Sequence, residues 1–279
     1  MKNFFRVALS LGVLAGLVLL ERKRPLRHER ESKLRRDGRN LAVAALGALT
    51  AQLLEAPAVR PLARSVEKRN LGLLKKLNLP RPFEIIAAVV LMDYTLYLWH
   101  VATHRVPALW RFHVVHHADR DLTATTAVRF HFGELAISAA WRAAQVLTIG
   151  VTPLSLSVWQ TFLFVSILFH HSNARLPYDV ERRLVRFVVT PRMHGVHHSV
   201  LLDETDSNWS SGLAIWDRLH GTLRLGVSQD AVEIGAPDYD DPDVTLGRLL
   251  ALPFKRRDPA PRASAPPRVS EAPRGRLLP

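Results

Sequence analysis

The sequence predicts an all-α integral-membrane protein, a helical bundle of about four to five hydrophobic segments with a cytosolic helical cap carrying a histidine-ligated di-metal site. Two observations predict it. Apolar residues make up 48% of the chain although its net charge is +13, and they collect into blocks separated by arginine-rich stretches instead of spreading along amphipathic faces. Twelve of the 13 histidines fall between residues 100 and 220, most of them in tight clusters.

The first block, residues 4–20, is interrupted only by Arg6 and Ser10 and runs straight into Glu21, Arg22, Lys23 and Arg24. That exit lacks the small residues of a cleavage site, so the block reads as an uncleaved anchor. Residues 22–39 hold nine Lys or Arg, which favours the cytoplasmic side for this loop. A second block, 41–54, is alanine-rich and short for a crossing by itself; it either continues through 55–62 or dips into the bilayer. Residues 60–81 carry seven further Lys or Arg, which opposes the positive-inside tendency if the second block crosses. Placing 71–79 along the interface, with Lys75 and Lys76 near lipid phosphates, relieves that conflict.

The third run, 83–99, contains Glu84 and Asp93; the fourth, 135–154, contains Arg142; the fifth, 156–169, follows Pro153 and Ser155 directly. One span followed by a hairpin brings the ends of the third and fifth runs to the same face, and histidines crowd both ends. Three parts result: a membrane anchor with basic linkers (1–82), a histidine-rich catalytic part (83–226), and a C-terminal tail (227–279) that is rich in Pro and Arg and disordered from about residue 253.

Composition excludes some chemistry. With no cysteine, the chain offers no disulfide, no thiolate zinc site and no iron-sulfur ligands. The basic balance would suit nucleic acid, but no aromatic-basic recognition motif accompanies it, and lipid head groups are the anionic partner expected.

The histidines have ligand spacing. His100-x-x-x-His104 places two imidazoles on one helical face, and His113-x-x-His116-His117 is almost repeated as His194-x-x-His197-His198. In each triplet the first member faces partners three and four residues on, so the three can divide between two metal ions. His171, at the exit of the fifth run, joins these eight as an expected ligand. His131, His170, Asn173, Asp93 and Glu134 are expected as additional ligands or as groups that orient ligands, Asp93 by accepting the outer ring N–H of a histidine on its own helical stripe. His28 and His220 read as ordinary surface histidines.

At these residues the sequence resembles the fatty acid hydroxylase and sterol desaturase superfamily, whose members share one H-x-x-x-H and two H-x-x-H-H boxes. The resemblance covers roughly residues 82–222. Asp93-Tyr94-Thr95-Leu96-Tyr97-Leu98-Trp99-His100 resembles the approach to the first box. Arg129-Phe130-His131-Phe132-Gly133-Glu134 resembles an R-x-H-P-x-E element with Phe132 in the usual place of proline. Trp216-Asp217-Arg218-Leu219-His220-Gly221-Thr222 resembles W-D-R-L-F-G-T with His220 at the phenylalanine position, which argues against its being a ligand. Asn208-Trp209-Ser210 departs from the family's N-Y-G.

The resemblance implies a membrane-bound oxygenase with two Fe ions that hydroxylates an unactivated C–H bond of a lipid or sterol-like substrate. It would use O2 and electrons from a separate electron-transfer protein, with the active site on the cytoplasmic side, among membrane lipids and without nucleic acid. No catalytic residue beyond the metal ligands is implied. A desaturase with the same centre is the alternative that the sequence does not separate. A zinc-dependent hydrolase is disfavoured by the surplus of histidines and the lack of H-E-x-x-H, and a metal transporter by clusters lying beyond the span ends.

Overall fold

A computed structural model describes residues 2–237, 239, 241 and 244–255. Among these residues the chain is helical, with only isolated β-bridges. Among the described residues, three helical stretches are long and apolar enough to cross a membrane: Lys33–Lys76, Arg81–Arg105 and Pro153–His171.

Helix α1 (Lys2–Lys23) ends in the basic run, and the chain then pairs beside Ala174, with the Leu26 amide donating to the Asn173 carbonyl at 2.8 Å. Helix α2 (Lys33–Thr50) continues through a π-helical turn, Ala51–Glu55, into α3 (Ala56–Arg69), so the second apolar block is one part of a long path. Pro57 and Pro61 follow that turn; lacking N–H groups, they cannot close the ordinary ladder, and the wider turn absorbs the mismatch. Helix α3 ends at left-handed Asn70 (φ 52°), and the short α4 (Leu73–Lys76) buries Leu74 while Leu73 and Leu77 stay exposed.

Helix α5 (Arg81–Arg105) stops because Pro107 forces Val106 into an extended conformation, and the same proline opens α6 (Pro107–His117). The fourth apolar run forms the 14-residue α7 (Phe132–Gln145) and a five-residue π-helical turn, Val146–Gly150. Gly150 (φ 86°) meets Gly72 (φ 91°) so closely that a Cβ on Gly72 would lie 2.3 Å from the Gly150 Cα. Thr-Pro pairs start the next histidine-bearing helices: Thr152 caps α8 (Pro153–His171) and Thr190 caps α10 (Pro191–His197), each with proline in the first turn. Between them lies α9 (Tyr178–Leu184); beyond them are α11 (Leu202–Thr205), α12 (Ile215–Leu219) and α13 (Leu246–Ala251).

The bundle core joins α3, α5, the turn after α7 and α8 through Val59, Met92, Val146 and Trp159. A second core packs Val43 of α2 and Val114 and Val115 of α6 against Leu249 and Leu252. Residues 244–254 are thus part of the fold, and the disorder expected from about residue 253 otherwise falls on residues beyond 255, outside those described. The basic run is not wholly directed at lipid. Arg36 and Arg39 are buried, Arg36 pairing with Asp121 at 2.9 Å, while Arg129 pairs with Asp119 at 3.0 Å. This ionic layer ties α2 to the loop that follows the second histidine box.

Candidate metal centre

Four helices end at one place. The last turns of α5, α6 and α8 and the end of α10 carry His100, His104, His113, His116, His117, His171, His194, His197 and His198. Helix C-termini present unsatisfied carbonyls and a partial negative charge, an arrangement that favours a cation.

These nine histidines form two groups that could each hold a metal ion: His100, His104, His113, His117 and His197 in one, and His116, His171, His194 and His198 in the other. Within each group the potential ligand atoms lie within 4.8 Å of one another. The two triplets are used reciprocally. His113 and His117, four apart on one face of α6, join the first group while His116 turns to the second; His194 and His198 join the second while His197 turns to the first.

The imidazole orientations are held from outside. The ring N–H at Nδ1 of His100 donates to the Trp209 carbonyl (2.7 Å), that of His197 to the Ser207 carbonyl (2.9 Å), that of His171 to the Ile167 carbonyl (2.8 Å), and that of His113 to Glu134 Oε1 (2.9 Å). Each bond leaves Nε2 as the lone-pair nitrogen facing inward. In the second group, His171 Nε2 lies 3.0 Å from His116 Nε2 and 3.1 Å from His194 Nε2, which is 3.1 Å from His198 Nε2. Nitrogens about 2.1 Å from a shared ion and at right angles would stand about 3 Å apart. In the first group, Nε2 of His104, His113, His117 and His197 are buried without hydrogen-bond partners. Buried, unpartnered and mutually crowded imidazole nitrogens fit transition-metal ions.

Burial, followed by repulsion among neighbouring imidazoles, holds His116, His117, His194 and His198 well below the usual histidine range. Burial lowers His197 to about 3, against the hydrogen bond to Ser207, which acts in the opposite direction. The rings are therefore neutral at physiological pH, as metal ligands must be.

The other expected residues separate from this cluster in instructive ways. Glu134 Oε1 lies 2.9 Å from His113 Nδ1, a contact by which it can hold that ring. Asp93 does not touch a histidine: its Oδ2 accepts from the Leu213 amide (2.9 Å) and from the Trp216 indole (2.7 Å). Seven residues along α5 is about 10 Å of rise, too far for its carboxylate to reach the His100 ring. His131 caps α7, its Nδ1 accepting from the Gly133 amide at 3.0 Å, and its Nε2 lies 3.3 Å from the Leu250 carbonyl. Asn173 engages the backbone of Arg27 with both ends of its side-chain amide, its Oδ1 accepting from the amide and its Nδ2 donating to the carbonyl. His170 is buried beside the His194 ring, 4.0 Å between centroids, but belongs to neither group.

Sequence reasoning missed the carbonyl acceptors at Ile167, Ser207 and Trp209. Asn208 adopts φ 53°, a conformation asparagine tolerates better than most residues, and its amide group bridges the Met193 and Arg224 carbonyls. Asp217 accepts from the Trp209 and Ser210 amides, which fixes the carbonyl that holds His100. The signal was present in Asn208-Trp209-Ser210 and Trp216-Asp217, but only the folded chain connects them.

A fatty acid hydroxylase family model matches residues 85–222, the segment that supplies every histidine of both groups. The chain belongs to the fatty acid hydroxylase family. Its similar proteins include the ornithine lipid hydroxylase OlsE of Rhizobium tropici, 31% identical over 64% of this chain and 52% of that protein. Human alkylglycerol monooxygenase is 29% identical over 52% of this chain and 32% of its own length, and mouse cholesterol 25-hydroxylase is 27% identical over 50% and 46%. The chain thus spans about a third to a half of these fatty acid hydroxylase relatives. No solved structure matches it significantly.

Proposed function

We propose that this chain is a membrane-bound di-iron oxygenase that hydroxylates an unactivated C–H bond of a lipid or sterol-like substrate, using O2 and electrons from a separate protein. The observation that carries the reading is the division of nine buried imidazoles into convergent groups of five and four. The first group would hold one iron and the second the other, within a catalytic part spanning residues 83–226 and anchored by residues 1–82. When bound, iron supplies the oxidising power to take hydrogen from a C–H group, which no side chain in this protein can do.

The protein's own work is placement. Glu134 and the carbonyls of Ile167, Ser207 and Trp209 fix ring orientation. Phe130, stacked on His116 at 4.3 Å, and Trp110, tilted against His104 at 5.0 Å, wall the site and keep water from it. Three of the nine histidines, His100, His104 and His171, arise from the ends of two candidate spans, so a lipid chain can reach the site from the bilayer. A cytoplasmic position for the centre agrees with the basic run that follows α1.

Lipid extracts of cells expressing the chain, grown under isotopically heavy dioxygen, test this against cells expressing His197→Ala. The expected product gains one heavy oxygen and is absent from the variant. A product that only loses two hydrogens assigns desaturation instead. Oxygen-independent lipid hydrolysis by zinc-loaded protein overturns the oxidative reading.

A further inference from the structure

The cap carries an exposed apolar surface that the metal centre does not use. Phe187, Ile215 and Leu219 are 69%, 44% and 67% exposed, although all three lie outside the candidate spans. They belong to one small unit. Val188 bridges to Leu213, the Ala214 amide donates to the Phe187 carbonyl (3.0 Å), and the Arg218 guanidinium donates to the carbonyls of Val185 and Arg186 (both 2.8 Å). Arg183 and Arg186 are exposed beside them, and α9 leads into the unit from the exit of α8 with Val180 exposed as well. Isolated exposed apolar residues need no explanation, but large side chains grouped on one unit with cations beside them mark a contact surface.

The depth of this unit identifies its partner. Trp216 of α12 donates to Asp93 and lies 4.9 Å from the Tyr94 ring, while His220 stacks on Tyr97 at 4.9 Å. Tyr94 stands six residues before His100 on α5, about 9 Å of helix rise toward the bilayer-crossing part. Helix α12 therefore lies nearer the middle of α5 than the histidine groups do, and with α5 crossing the bilayer its outward apolar residues would stand at the height of a lipid leaflet surface. By contrast, α11 is held near the opposite end of α5, where Asp206 pairs with Arg105 at 3.3 Å.

We propose that Phe187, Ile215 and Leu219, with Arg183, Arg186 and Arg218, form an interfacial lip that inserts into the cytoplasmic leaflet and binds anionic phospholipid head groups. The apolar tips enter the boundary between head groups and acyl chains, typically ~5–10 Å deep, and the guanidiniums meet phosphates at its surface. The lip adds a membrane contact beyond the spans and sets the cap's tilt against the bilayer. It rests on α5 and α8 crossing the membrane and not on the oxidative chemistry, so its failure leaves that chemistry untouched.

The absence of cysteine from the chain makes single-site labelling clean. Phe187→Cys and Leu219→Cys, each carrying an environment-sensitive fluorophore, are placed in nanodiscs with lipid-borne nitroxide near the top of the acyl chain or with aqueous iodide. Ile86→Cys, exposed on α5, serves as the in-bilayer reference, and Asp203→Cys, on the exposed side of α11, as the aqueous one. Both lip probes are expected to lose fluorescence to the lipid nitroxide as the Ile86 probe does and to resist iodide, with greater loss when anionic phospholipid is included. Iodide quenching equal to that of the Asp203 probe overturns the lip, and so does shielding from both quenchers, which assigns the surface to a second protein copy. Equal nitroxide quenching in zwitterionic and anionic discs overturns the head-group recognition.

Discussion

The Glu134 carboxylate accepts the Nδ1 hydrogen of His113 at 2.9 Å, and both groups are buried. This bond fixes the tautomer that turns Nε2 inward and raises its basicity. Glu134→Ala is expected to weaken metal retention about 10–100-fold, as losses of such partners do. Glu134→Gln, which keeps an acceptor oxygen, should weaken it less. His131→Ala removes a helix cap and no member of either histidine group, so it should lower thermal stability and leave metal retention unchanged. Competition with chelators of graded strength measures retention; a His131→Ala loss equal to that of Glu134→Ala would contradict the assignment.

The metal-free protein should lose stability on mild acidification. His197 is lowered from 6.5 to about 3 by burial. The unfolded chain takes up a proton there below about pH 6.5 while the folded chain does not, so the stability is complete above that pH and lost as the pH falls toward 3. Each such group contributes a slope of about 1.4 kcal/mol per pH unit in that window. His116, His117, His194 and His198 shift in the same direction. Thermal melts of chelated protein in detergent between pH 7 and 5 should show a steep fall that His197→Ala makes shallower.

Asp93 is a structural anchor for α12. Removing it strands two buried donors, the Leu213 amide and the Trp216 indole, at about 1–3 kcal/mol each. Gly212→Ala attacks the same junction, since a Cβ there would lie 2.3 Å from Asp93 Oδ1 and 2.6 Å from the Phe162 ring. Both variants should melt earlier, and the double variant should cost less than the two added together. Strict additivity would mean that the two sites do not share this contact.

Arg129 and Asp119 form a fully buried ion pair at 3.0 Å. Arg129→Met leaves the carboxylate without its nearest cation, and a destabilisation of about 3–5 kcal/mol is expected. Adding Asp119→Asn should restore part of that loss, because the amide still accepts from Asn40 and Thr126 while carrying no charge. Aggregation temperature in detergent reads the effect; no recovery in the double variant would assign the damage to lost packing of the arginine stem.

Some features of this protein follow from local order along the chain. Histidine pairs three and four residues apart must share a helical face, so the two triplets were legible before any fold was known, whereas Glu134, 21 residues from His113, meets it only through the fold. Proline after Thr152 and Thr190 marked the starts of α8 and α10 by the same local physics.

What the sequence by itself determined was the helical, apolar-block character of the chain and the shared faces of the eight imidazoles in the three histidine boxes, because apolar blocks and i, i+4 spacing act over one or two helical turns. Only the tertiary structure decided which imidazole joins which group, that Asp93 holds Trp216 and not His100, and that carbonyls of Ser207 and Trp209 aim two of the rings. Those outcomes depend on where helices distant in sequence cross and how each is rotated about its axis. That rotation is set by packing among many side chains at once, and no short stretch of residues encodes it.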